Sequence, residues 1–220
     1  MKNSVFTARA AGALLISIAA TPLALAGRDI SSVNGSVDTT AGQTYDSLTT
    51  VNGDVRVSRG VSAGVAKTVN GDVTLEDDAK VGRATTVNGS LTLRDGASVT
   101  NEATTVNGSI DVGNKARVGG NVTTVSGGID LTGAEVGGSI ETRNGDIRLR
   151  DGSRVHGGIT VRKKTDHGWF GDRDDDRPLK VSICATCVVD GDLRFERAVE
   201  LRVEPGAKIG QVIGDKVKRL

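Results

Sequence analysis

The dipeptide Asn-Gly returns along this chain at near-constant intervals, and that spacing restricts the fold more than any other feature. It begins at Asn34, Asn52, Asn70, Asn88, Asn107 and Asn144, with Ser126-Gly127 in the vacant place, so the successive steps are 18, 18, 18, 19, 19 and 18 residues. A fixed period of this length marks a repeat architecture, in which each unit buries its apolar face only against its neighbours. A shorter period of six lies inside it. From Ala79 the chain reads AKVGRA, TTVNGS, LTLRDG, ASVTNE and, after one additional residue, TTVNGS, IDVGNK, ARVGGN.

Each hexad alternates over its first three positions, which places the first and third on one side of a short strand. The next three positions are rich in Gly, Asn and Asp, the residues that tolerate a sharp bend. Three such units close one triangular coil. The expected fold is therefore all-β: a single-stranded triangular parallel β-helix (β-solenoid) of about 18 residues per coil. About nine coils make a rod of roughly 43 Å at the usual inter-strand spacing.

This frame predicts three inward files: Val51, Val69, Val87, Val106 and Val125; Val57, Leu75, Leu93, Val112, Leu131 and Leu149; and Val81, Val99, Val118, Val136 and Val155. Ala79, Ala97, Ala116 and Ala134 take narrower sites beside the third. The same frame turns Thr50, Thr68, Thr86, Thr105, Thr124 and Thr142 to the outside. Read that way, the threonines are either ordinary strand formers or a flat face for lateral contact or for ice. Val87→Asp is then expected to be far more damaging than Thr86→Asp. The corner asparagines suit both a turn dipeptide and an amide ladder running from coil to coil (Asn34, Asn52, Asn70, Asn88, Asn107, Asn144).

Composition agrees with a thin rod. The chain has 30 glycines, 3 prolines and only 2% aromatic residues, so nothing is available to fill the centre of a broad globule. The first coil, from Ser32 to Thr49, carries Gln43 and Tyr45 where later coils carry Ala and Val, as suits a cap.

Residues 1–26 read as a cleavable export signal: Lys2 and Arg9, an apolar run from Ala10 to Ala20, and Ala24-Leu25-Ala26 before Gly27. Its removal takes two positive charges from a chain of net charge +1, leaving about −1. Such a chain has no global attraction to nucleic acid, and no transmembrane segment remains after cleavage. The expected location is periplasmic or secreted. The coils then span 27–162 and resume over 180–214, with a charged loop extruded at 163–179 and a basic tail at 215–220.

Candidate chemistry is sparse. The two histidines, His156 and His167, fall short of the three ligands usual in a zinc site. Asp172, Asp174, Asp175 and Asp176 are interrupted by Arg173 and Arg177 and lack the spacing of a calcium loop. No metal, cofactor or catalytic residue is expected. The loop also holds Trp169 and Phe170, an aromatic pair that docks on the rod or on a partner; with His167 and the four aspartates it forms the candidate interaction element. Cys184 and Cys187 form C-x-x-C, read first as a local disulfide, next as two packed thiols.

The hexads AKVGRA, ARVGGN, AEVGGS and AKIGQV resemble those of hexapeptide-repeat proteins, which include acyltransferases and a zinc carbonic anhydrase. The short glycine-rich coils are also similar to those of bactofilins. That resemblance implies a triangular β-helix that polymerises end to end without nucleotide. The catalytic histidine and the three zinc histidines of the hexapeptide enzymes find no counterpart here. The functional expectation is a non-enzymatic structural protein that self-associates, or meets another envelope protein or glycan. The alternative is a cell-surface adhesin working through the 163–179 loop, and last a hexapeptide-type transferase.

Overall fold

A computed structural model of the chain describes residues 27–163 and 177–220. The expected export signal and the heart of the charged loop lie outside them. The described residues form a parallel β-solenoid of about nine turns without helices. Every strand pairs in parallel with its counterpart one turn away.

Each coil visits three faces in the same order. In one coil these are Ala84–Asn88, Leu91–Leu93 and Ser98–Val99, here called the threonine, leucine and valine faces. In the first coils the valine face runs into the threonine face without a break, through Thr44–Asn52, Ser62–Lys67 and Lys80–Asn88. One residue is then added at that corner. Ala79 to Ala84 is a step of five, whereas Ala97 to Ala103 is a step of six, and the strands separate into Ser98–Val99 and Ala103–Asn107. This insertion is the source of the 19-residue intervals.

The interior consists of files of like residues. Val57, Leu75, Leu93, Val112, Leu131 and Leu149 are buried, as are Val81, Val99, Val118, Val136 and Val155, with Ala79, Ala97, Ala116 and Ala134 beside them. The hexad frame predicts all of these. It fails on the threonine face. Thr50, Thr68, Thr86, Thr105, Thr124 and Thr142 are buried, none more than 1% exposed, whereas Val51 is 39% exposed and Val69, Val87, Val106 and Val125 are half-buried on the outer side. The frame slips because the Asn-Gly corner takes seven residues rather than six: Ala84 to Leu91 is seven, Leu91 to Ala97 six. A one-residue slip exchanges the two sides of a strand.

The true inner file of this face starts at Ile30 and continues through Leu48, Ala66, Ala84, Ala103, Val122, Ile140, Ile159 and Leu193 to Val212. Alanines in mid-rod leave room for the larger Leu91, Leu93, Ile110 and Ile129 of the leucine face, which keeps a narrow interior at close-packed density.

Two segment boundaries differ from the sequence reading. Leu179, placed in the loop, is buried and opens the strand Leu179–Ile183. Val217–Arg219, placed in a basic tail, pairs with Val199–Leu201 and forms the last strand of the rod.

Candidate functional surfaces

The corner asparagines form a ladder. Asn52 donates through Nδ2 to Oδ1 of Asn34 at 3.0 Å, Asn70 to Asn52 at 2.8 Å, Asn88 to Asn70 at 2.9 Å and Asn107 to Asn88 at 2.9 Å. The next coil has Ser126, which cannot extend an amide ladder, and Asn144 follows beyond the break. Backbones approach closely here: a Cβ on Gly89 would collide with the carbonyl of Gly71, so glycine is required. Just inside the corner, the threonine hydroxyls donate to carbonyls of the preceding coil: Thr50 to Gly35, Thr68 to Gly53, Thr86 to Gly71, Thr105 to Gly89 and Thr124 to Gly108, at 2.8–3.2 Å. Thr142 ends the series; its buried hydroxyl has no partner.

Cys184 and Cys187 are joined as a disulfide with Cα atoms 5.1 Å apart. Cys187 is fully buried in the file that holds alanine in earlier coils, and Cys184 sits at the bend before it. Both thiols are consumed in this bond.

His156 lies on the valine face between two carboxylates, with Nε2 3.0 Å from Glu135 and Nδ1 3.2 Å from Asp190. Arg117 and Arg154 flank the same pair. The hydrogen bond from His156, with Arg117 nearby, holds the Glu135 carboxyl below its ordinary range. On the leucine face Asp130 is clasped by Arg148 and Arg150, while burial pushes the neighbouring Asp111 carboxyl up against the opposing hydrogen bond from Ser109. Shallow grooves run along both faces, one lined by Asp95, Asp111, Asp130 and Arg150, another by Arg83, Asn101, Glu102 and Asn121. Arg83 pairs with Glu102 and Arg150 with Asp130 across coils, and among the described residues no three His, Cys, Asp or Glu side chains gather as metal ligands.

The candidate interaction element (His167, Trp169, Phe170, Asp172, Asp174, Asp175 and Asp176) lies outside the described residues. The strands of the rod stop at Val161 and resume at Leu179, across the corner that Asn-Gly occupies in earlier coils. No helix among the described residues is long and apolar enough to cross a membrane.

No protein-family model, no curated protein and no solved structure matches this chain.

The sequence places Tyr45 in a first coil suited to a cap, and the structure shows its contacts there. At the N-terminal end Tyr45 closes the interior, 4% exposed, and its hydroxyl accepts the backbone N–H of Thr40 at 2.9 Å. The last described coil is less well covered. Val203, Ala207, Ile209, Val212 and Val217 pack on the core but are only partly buried, and Ile213 and Leu220 are 41% and 64% exposed. The signal was present, since AKIGQVIGDKV keeps the aliphatic hexad pattern into the last coil.

Proposed function

We propose that this chain is an exported, non-enzymatic structural protein that self-associates end to end as an envelope scaffold, in the manner of the bactofilins its coils resemble. The observation that carries this reading is the last described coil, where Val212 and Val217 pack on the core yet stay partly exposed beside Ile213 at 41%. Val212 is the last member of the file that begins with Ile30, so a second copy added head to tail continues the file with Ile30 over Val212. All strands run the same way, and the exposed backbone edge of the last coil is a template for a further parallel strand.

The ends are also of opposite sign. Residues 28–46 carry Arg28 against Asp29, Asp38 and Asp46, a net of −2; residues 208–220 carry Lys208, Lys216, Lys218 and Arg219 against Asp215, a net of +3. Arg219 ends the file of Leu201 and is exposed, so its long stem reaches the rim rather than blocking the stack. A heterologous contact of this kind produces an open filament when its rotation does not close a ring.

Light scattering and electron microscopy of the mature chain over a concentration series test the proposal. Growth of elongated particles is expected, weakened by salt and by Lys216→Glu with Lys218→Glu, which touch no core packing. A strict monomer at high concentration would overturn it.

A further inference from the structure

We infer that the threonine face is a second self-association surface, through which two copies of this chain pair side by side with their rods antiparallel. This deepens the scaffold reading by adding a lateral contact, and it does not need the end-to-end contact to exist.

The outer residues of this face form two columns. One runs Thr49, Lys67, Thr85, Thr104, Thr123, Glu141, each paired in register with the next. The other is the half-exposed valine column of Val69, Val87, Val106 and Val125. From Thr85 to Val125 neither column holds a charge. The other two faces are studded with charges satisfied inside the chain, such as Arg94 with Glu76 and Arg154 with Asp190. An uncharged, regularly ridged sheet surface packs well on another at about 10 Å, as in a sandwich.

The two charges that bound this surface say what covers it. Lys67 stands two rungs from Thr104 on one side and Glu141 two rungs on the other. A two-fold axis through Thr104, parallel to the strands, reverses the rod and lays each column on itself. Lys67 of each copy then meets Glu141 of the other, giving two symmetric ion pairs around a core of threonine and valine. A shift of one rung loses both pairs, so the register is specified as well as the direction. Lys67 has no ion-pair partner among the described residues; both carboxylate oxygens of Glu141 accept from Arg162 of its own chain, so Lys67 of the second copy joins or displaces that pair.

Five rungs span only about 20 Å, so the patch is far below the roughly 800 Å² per partner of a standard interface. The pair is therefore weak for isolated rods and gains by avidity along a filament.

Sedimentation at high concentration, in the Lys216→Glu/Lys218→Glu background that weakens end contacts and with salt added, reads the lateral pair against them. Lys67→Glu or Glu141→Lys should weaken dimerisation at least tenfold, and the double exchange should restore it, with the melting temperature of Lys67→Glu unchanged. A carbodiimide cross-link between Lys67 and Glu141 gives an independent readout, because the two lie four rungs, about 19 Å, apart within one chain and cannot join there. Wild-type dimerisation in Lys67→Glu, a double exchange as weak as either single change, or no such cross-link would overturn the inference. Loss of filaments in the background variant with dimers retained would separate this contact from the end-to-end one.

Discussion

The hydroxyl of Thr86 donates to the carbonyl of Gly71, one coil earlier, at 2.9 Å, and the Thr86 side chain is completely buried. Its neighbour Val87 lies on the outer side of the strand. The residue that looks fit for water is inside, and the residue that looks fit for the core is outside. A hydroxyl is accepted in a dry interior because it finishes a hydrogen bond there, and a valine is accepted outside because strands tolerate β-branched residues on either side.

The two positions should respond oppositely to charge. Thr86→Asp buries an unpaired carboxylate between coils and should cost more than about 4 kcal/mol. Val87→Asp faces solvent and should cost less than about 1 kcal/mol. Thermal melts of both variants check this; equal losses would show that the strand faces have been assigned wrongly.

Removing only the hydroxyl separates the hydrogen bond from the packing. Thr86→Val should lose about 1–2 kcal/mol, because the Gly71 carbonyl forfeits its donor. Thr142→Val should be neutral or stabilising, since that buried hydroxyl has no partner to lose and the next residue in the file is already Val161. Chemical denaturation of the two variants side by side reads the difference.

The disulfide spans residues three apart, so it constrains a short loop. The chain-entropy relation for such a loop gives about 2 kcal/mol. Replacing both cysteines by alanine should lower stability by that order, and hydrogen exchange should show the loss in the strands from Leu179 onward rather than in the early coils.

Two carboxylates should titrate on opposite sides of the ordinary range. Glu135 is held low by His156, so its favourable contribution is present above the ordinary carboxylate range and is lost as pH falls through its own lower value. Nuclear magnetic resonance titration should find it low in the native chain and higher in His156→Ala. Asp111 is pushed up by burial, so its ionisation works against the fold as pH rises. Asp111→Asn should therefore raise the melting temperature at neutral pH and leave it unchanged at a pH where Asp111 is protonated.

The period of 18 to 19 residues, the hexads within it and the scarcity of aromatics were enough to define a triangular parallel β-solenoid, its leucine and valine files and its number of coils. These follow from local rules: alternation sets which side of a strand is apolar, and Gly, Asn and Asp set where it bends. Which side of the threonine face points inward was not local. It depends on an extra residue at each Asn-Gly corner, visible only when the coil closes and Ala84 meets Ala66 and Ala103. The tertiary structure likewise decided that Lys67 and Glu141 bound one uncharged surface, and that Tyr45 is buried with its hydroxyl on the Thr40 N–H. Stacking brings together residues 18 or 19 positions apart in the chain, and contacts at that range are set by coil closure rather than by the run of residues through any one strand.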